Sequence, residues 1–297
     1  MEFDFNGVKI YLKDQVCTQT GYIPGHINPQ INLYIKPTNL CNSDCSFCEY
    51  HGKYKQFSWG EFVRALIKLS ELGIVGKIQI TGGEPTVSSN IIEIVKLTRL
   101  IFPDRFIGIN SNFTYPDILL SLNQYLDNFA LSRHHYDDAI NRRIFGNKNM
   151  TSSPSIKQFI GEVGQEKVHL SCTMIQSGVG TLADMKKYLD FASSLGCNDV
   201  GFVGLMKAND YCKENFVEPL DIAKQGIENG DFLKYKEFNE KHGYCTCGNY
   251  EYFSDKTGRS VSFYIRHVLN PEKSVGSLVF DGQHLRSGFS GEIIPLK

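Results

Sequence analysis

The sequence lacks the features that would assign it to a membrane, an export route or a nucleic acid. No apolar run approaches the ~20 residues that a membrane-spanning helix needs. The opening Met1-Glu2-Phe3-Asp4-Phe5-Asn6 is acidic and has neither the basic nor the apolar region of a signal peptide. Charge of one sign is not in excess: 31 Lys and Arg stand against 32 Asp and Glu, a formal net charge of −1. A polyanion-binding surface is therefore not expected. Internal repeats, low-complexity tracts and long polar linkers are also absent. The expectation is a cytoplasmic globular protein with no nucleic acid and no membrane among its partners.

Cysteine, by contrast, is plentiful. Nine of them, an odd number without an export signal, point to a reducing compartment and to metal or redox use rather than disulfides. Cys41, Cys45 and Cys48 stand together in the run Cys-Asn-Ser-Asp-Cys-Ser-Phe-Cys. Thiolate is the ligand that iron–sulfur clusters select. A fully held four-iron cluster takes four cysteines, so three leave one iron open to an exogenous ligand. A zinc site with His51 as the fourth ligand is the alternative, although zinc favours closed sets built from two separated pairs.

From residue 31 to about 206, short β-rich runs alternate with helical patterns, the sign of βα units on a parallel sheet. Strands are expected at 31–36, 77–80, 106–109, 129–132, 168–175 and 200–203. A helix begins after Ser58, with Ser58 and Glu61 as a capping box, Phe62, Leu66, Leu69 and Leu72 as its apolar face, and Gly73 as its stop. Further helices are expected at 91–102, 116–126 and 138–145. Another runs from Thr181, with Asp184 three residues on, to Gly196. Residues 1–30 read as a β-rich lead-in. Residues 208–297 form a different kind of sequence, with a helical stretch over 220–241 and β-like runs at 260–268 and 276–280.

The spacing C-x3-C-x2-C, with aromatic Phe47 before the last cysteine, resembles the signature of the radical S-adenosylmethionine (SAM) superfamily. Thr81-Gly82-Gly83-Glu84-Pro85, directly after the second strand, resembles that family's second hallmark. The resemblance implies a partial (βα)6 TIM-like barrel, an α/β fold, over 31–207, with 208–297 as a C-terminal extension. It implies a [4Fe–4S] cluster on Cys41, Cys45 and Cys48 whose open iron chelates SAM. Gly82 and Gly83 would let the backbone approach the ligand, and Glu84 would offer a carboxylate to the SAM ammonium group. Phe47, Asn112, Ser132, Arg133, Ser171 and Met206 would complete the SAM site, Arg133 by gripping a carboxylate. Related enzymes often carry Thr-Asn-Gly at the third strand end; here Phe113 replaces the glycine. His134 and His135 are candidates for moving protons after a radical step, against a purely structural reading.

Cys212, Cys245 and Cys247 resemble the ligands of a second iron–sulfur cluster in the twitch and SPASM extensions. A three-cysteine cluster has precedent in the branch that makes the molybdenum-cofactor precursor. Cys245 or Cys247 as a hydrogen-atom donor, and plain burial, are the alternatives. The implied activity is reductive cleavage of SAM to a 5′-deoxyadenosyl radical. Its expected target is a small molecule of sugar, aminocyclitol or nucleoside type, and the outcome oxidation or epimerisation. Flavodoxin or ferredoxin would be the one-electron donor. A peptide-modifying enzyme is the second reading, and a non-catalytic electron carrier or sensor the third.

Overall fold

The computed structural model describes residues 2–11, 31–48, 52, 55–206, 209–234, 248–266 and 277–296. Strands β1 (Glu2–Phe5) and β2 (Val8–Tyr11) pair as a separate antiparallel hairpin. The core is a run of parallel strands: β3 (Ile31–Ile35), β4 (Val75–Ile80), β5 (Phe106–Ser111), β6 (Asn128–Ser132), β7 (Val168–Thr173) and β8 (Asp199–Val203). Between them lie α1 (Trp59–Leu72), α2 (Ile91–Ile101), α3 (Pro116–Ser121), α4 (Asp138–Phe145), α5 (Ser153–Val163) and α6 (Leu182–Leu195). Parallel neighbours require such crossovers, and the alternation seen in the sequence is this architecture.

The chain after residue 208 extends the sheet at both edges. Beyond the short helices α7 (Asp210–Glu214) and α8 (Pro219–Glu228) come β9 (Leu233–Lys234), β10 (Gly248–Ser254) and β11 (Arg259–Arg266). Strand β11 runs parallel to β8, while β12 (Ser277–Phe280) runs parallel to β3 and carries β13 (Leu285–Arg286). The result is an eleven-stranded sheet with the order β13-β12-β3-β4-β5-β6-β7-β8-β11-β10-β9, a partial barrel with a C-terminal extension and no closure among the described residues. No described helix is long and apolar enough to cross a membrane.

Local signals account for most of the helix ends. Gly73 and Gly196 stop α1 and α6 in the left-handed conformation, and the Thr181 hydroxyl accepts from Asp184 N–H at 3.2 Å. At Ser58 the expected capping box does not form, and Glu61 instead pairs with Arg64. Leu72 turns to the surface while Phe62, Leu66 and Leu69 are buried. Helix α3 ends at Ser121, short of the expected 126, and α5 has no counterpart in the sequence reading. Of the helical stretch expected over 220–241, only the part in α8 lies among the described residues up to 234.

Strand alternation sorts the side chains into two sets. Phe129 faces Phe159 of α5, Phe202 faces Tyr188 of α6, and the Arg133 guanidinium lies 5.3 Å from the Phe191 ring of α6. These residues and their period-two partners Leu131, Leu170, Cys172 and Val200 form the helix-side core. Ser132, His169, Ser171 and Gly201 alternate with them and face the other, inner side. Phe113, just past β5, holds φ 63 with its ring 5.0 Å from Phe159. It adopts the backbone that glycine would favour there and spends its side chain on the core. Phe113→Gly should relieve the backbone strain yet still lower unfolding free energy by about 2–4 kcal/mol, because the lost ring is worth more than the strain. Urea unfolding checks this; an unchanged or raised stability would contradict it.

Candidate functional site

Strand β3 delivers the cysteine loop, and neighbouring strand ends hold it in place. Glu84 N–H donates to Leu40 O at 2.9 Å, Asp44 N–H to Phe145 O at 2.8 Å and Cys48 N–H to Cys45 O at 2.9 Å. Asn112 Nδ2 donates to Asn42 Oδ1 at 2.7 Å and to Ser43 Oγ at 3.0 Å. Asn147 Nδ2 reaches Ser43 Oγ at 3.4 Å, and Asn209 Nδ2 reaches Ser46 O at 3.2 Å. Cys41 is exposed, Cys48 half-buried and Cys45 buried.

These thiols fit an iron–sulfur cluster. Burial pushes Cys45 up to about 12, and the charges of Cys48 and Cys41 push the same way. Cys41 is raised by burial, and also by Glu84 and Cys48. Three thiolates sharing one space repel one another until a cation relieves them. Among the described residues no three His, Cys, Asp or Glu are spaced for a single metal ion, whereas each thiolate of a cubane meets a different iron. Asn42 Nδ2 is buried without a partner, a donor suited to cluster sulfur. His51, the fourth ligand of the zinc alternative, lies outside the described residues.

The Gly-Gly-Glu segment packs directly against this loop. A Cβ on Gly82, at φ 139, would lie 2.5 Å from Thr38 O, and one on Gly83 would lie 2.1 Å from Leu40 O. The glycines let the end of β4 press against the cysteine loop. Glu84 is buried and fully engaged. Its Oε1 accepts from Thr86 N–H at 3.0 Å, Thr86 Oγ1 at 2.6 Å and Ser111 Oγ at 2.8 Å, and its Oε2 from Asn112 N–H at 2.6 Å. The carboxylate expected to meet the SAM ammonium lies beneath the loop, braced to β5, with both oxygens accepting from the chain.

The end of β6 divides in the same way. Ser132 lies on the inner face. Arg133 points to the helices, with Nε donating to His135 O at 2.8 Å and Nη2 to Asp138 Oδ1 at 2.5 Å. Its fork, expected to grip a carboxylate, is engaged by the His135 carbonyl and Asp138 of α4. His134 is enclosed: its ring stacks on Phe145 at 4.6 Å, meets Phe47 edge-on at 5.1 Å, and its Nδ1 accepts from Thr173 N–H at 3.1 Å. Burial, with Arg133 adding, lowers its pKa to about 3. His135 is also lowered by burial, and its Nδ1 accepts from Asp137 N–H at 2.9 Å. Burial thus favours the neutral form of both rings, and His134 supports Phe47 beside the third cysteine.

Ser171 lies on the inner face next to Ser132 in register, and Met206 is exposed past β8. Cys212 is fully buried among Ile175, Leu205, Ile144 and Phe216, with its thiol donating to Phe47 O at 3.7 Å. It packs beneath the cysteine loop in apolar surroundings. Cys245 and Cys247 lie outside the described residues.

Sequence reasoning missed Phe145, Asn147 and Asn209, which reach the loop from 100 or more residues away in the chain and carry no local motif. It also missed the polar inner face. There Gln79 Nε2 donates to Asn110 Oδ1 at 2.9 Å, and the largely buried Lys77 stands over the Phe106 ring at 4.6 Å. Burial lowers the Lys77 pKa, and nearby Arg266 lowers it further.

A parallel α/β half-barrel that brings three thiols to its strand ends has the donor set of a cluster-binding enzyme. Residues 35–157 match the profile of the Radical SAM superfamily. That match covers less than half of the chain and marks a radical SAM-like region; members of the superfamily use a [4Fe–4S] cluster and SAM. A probable GTP 3′,8-cyclase of Thermoplasma volcanium is 29% identical over 126 residues, covering 40% of this chain and 37% of that protein. One from Saccharolobus islandicus is 25% identical over 218 residues, covering 66% and 68%. The match thus spans little more than a third of the Thermoplasma relative. Among solved structures, Streptococcus suis SuiB bound to S-adenosylmethionine shares the fold, with TM-score 0.60 at 14% identity, covering 88% of this chain and 60% of that one.

Gly83→Ala would drive a methyl group into the Leu40 carbonyl, so the cysteine loop should shift and most of the ~4 irons of one cluster should be lost on anaerobic reconstitution. Full iron retention would contradict the close-approach account. His134 is favoured neutral by the fold, so its contribution is complete above the ordinary value of 6.5 and is lost as pH falls from there towards about 3. Over that window the urea unfolding free energy should fall more steeply for wild type than for His134→Gln, by about 1.4 kcal/mol per pH unit. Parallel slopes would contradict it.

Proposed function

We propose that this chain is a radical SAM enzyme acting on a small polar molecule of nucleoside or sugar type, with oxidation or epimerisation as the outcome. When bound, the cluster and SAM supply a 5′-deoxyadenosyl radical that removes a hydrogen atom from a C–H bond. The protein's own residues orient the partners and exclude water. Cys41, Cys45 and Cys48 would hold the cluster, and Phe47, backed by His134, would pack against SAM. Ser132, Ser171 and Asn112 are polar groups at or near the same strand ends.

The observation that carries the substrate reading is the polar inner face beneath the cysteine loop. Lys77, Gln79, Asn110, Ser132 and Ser171 suit a compact, hydroxyl-rich ligand better than an apolar one. Lys77, its charge already desolvated, favours an anionic group such as phosphate. The relatives named as probable GTP 3′,8-cyclases support a nucleotide. A one-electron donor of the flavodoxin or ferredoxin class is the partner this chemistry requires. Of the three expected second-cluster ligands, only Cys212 is among the described residues.

The test is anaerobic 5′-deoxyadenosine formation with SAM and a reductant, in the presence of nucleoside triphosphates, sugars, aminocyclitols or short peptides. Nucleotides should stimulate turnover most, and Lys77→Met should raise the concentration required by about ten- to a hundredfold, the worth of a charged hydrogen bond. Stimulation by peptides alone would overturn the small-molecule reading.

A further inference from the structure

Three polar side chains on the inner face have no part in holding the cluster or SAM. Asp199 at the start of β8, His169 on β7 and Tyr264 on β11 lie on adjacent strands of the sheet. Asp199 Oδ2 is 2.9 Å from His169 Nδ1, and His169 Nε2 is 3.1 Å from the Tyr264 hydroxyl. The two rings are stacked 5.2 Å apart at an interplanar angle of 11°. Gly201 lies beside the contact: a Cβ there would be 2.6 Å from the Tyr264 oxygen and 2.8 Å from His169 Nε2. The backbone leaves out a side chain where these two groups meet.

We propose that Asp199, His169 and Tyr264 form a proton relay on the inner face, which takes the hydroxyl proton of an alcohol substrate while its carbon is oxidised. The inference rests on the small-molecule reading above and names the group that reacts. The chemistry follows from the donor and acceptor pattern. The Asp199 carboxylate accepts from Nδ1–H, which fixes the tautomer and leaves Nε2 as an acceptor for the Tyr264 hydroxyl. A phenol oxygen that donates one hydrogen bond can still accept one from a substrate hydroxyl. The substrate proton passes to the Tyr264 oxygen as the Tyr264 proton passes to His169 Nε2. The imidazolium so formed is held by Asp199, which is half exposed at the far end of the strand and gives the proton an exit. The other changes complete the balance. The carbinol hydrogen leaves as an atom to the 5′-deoxyadenosyl group, and the remaining electron leaves to a one-electron acceptor of the iron–sulfur or flavodoxin class. The product is a ketone.

A structural tie is the competing explanation, although these strands are already joined by backbone pairing. Tyr264→Phe removes only the hydroxyl and keeps the ring against His169. With an alcohol substrate deuterated at carbon, Tyr264→Phe should still move deuterium into 5′-deoxyadenosine, within about threefold of wild type, while ketone formation falls at least a hundredfold. Equal loss of both would reduce the hydroxyl to a structural role and overturn the relay, as would undiminished ketone formation. A wild type that moves no deuterium from any hydroxyl-bearing small molecule would overturn the substrate reading and, with it, the relay's partner. A readout that needs no turnover is the nitrogen-15 spectrum of His169 in the full chain. The Nδ1–H tautomer is expected in wild type and should be lost in Asp199→Leu; an Nε2–H tautomer in wild type would overturn the relay.

Discussion

The arrangement of the cysteine loop depends on one buried carboxylate. Glu84 collects the end of β4, the Ser111 hydroxyl and the Asn112 amide onto two oxygens. Asn112 in turn grips Asn42 and Ser43 within the loop. A buried carboxylate is costly unless its acceptors are satisfied, and satisfying them here fixes two strand ends and a loop in one geometry. Gly82 and Gly83 add the close approach that lets β4 and the loop lie in contact. Cys41 and Cys45 need such a frame because burial and nearby negative charge oppose their ionisation.

The C-terminal segment belongs to the same frame. By pairing β11 with β8 and β12 with β3, it covers both edges that a six-stranded parallel sheet would leave open. It also supplies Tyr264 to the inner face, and Asn209 and Cys212 to the underside of the cysteine loop. The polar interior is thus built from both parts of the chain.

The fold was legible because its signals are local. Thr181, Gly73 and Gly196 act within one turn of their own helices, and the alternation of β and α runs fixes the parallel sheet. Both hallmarks, Cys41 to Cys48 and Thr81 to Pro85, could be read for the same reason. What was lost depends on contacts distant in sequence. Glu84 looks like an exposed carboxylate in a glycine turn until Ser111 and Asn112 are brought over it. Arg133 looks like a ligand grip until strand alternation, counted from Phe129 and Leu131, sends it to α4. His134 reads as a proton carrier, but Phe47, Phe145 and Thr173 enclose it as a support. Cys212, grouped with Cys245 and Cys247 by its place after the sixth strand, packs under Phe47, a contact that no local motif announces.

The central claim is that this frame presents three thiolates to a cluster and leaves one iron open to SAM. Electron paramagnetic resonance of the reconstituted, reduced protein, recorded with and without SAM, tests it most directly. The account predicts a cubane signal whose g-values shift when SAM is added. A four-iron cluster whose spectrum is indifferent to saturating SAM would contradict it, because the fourth iron would then be closed.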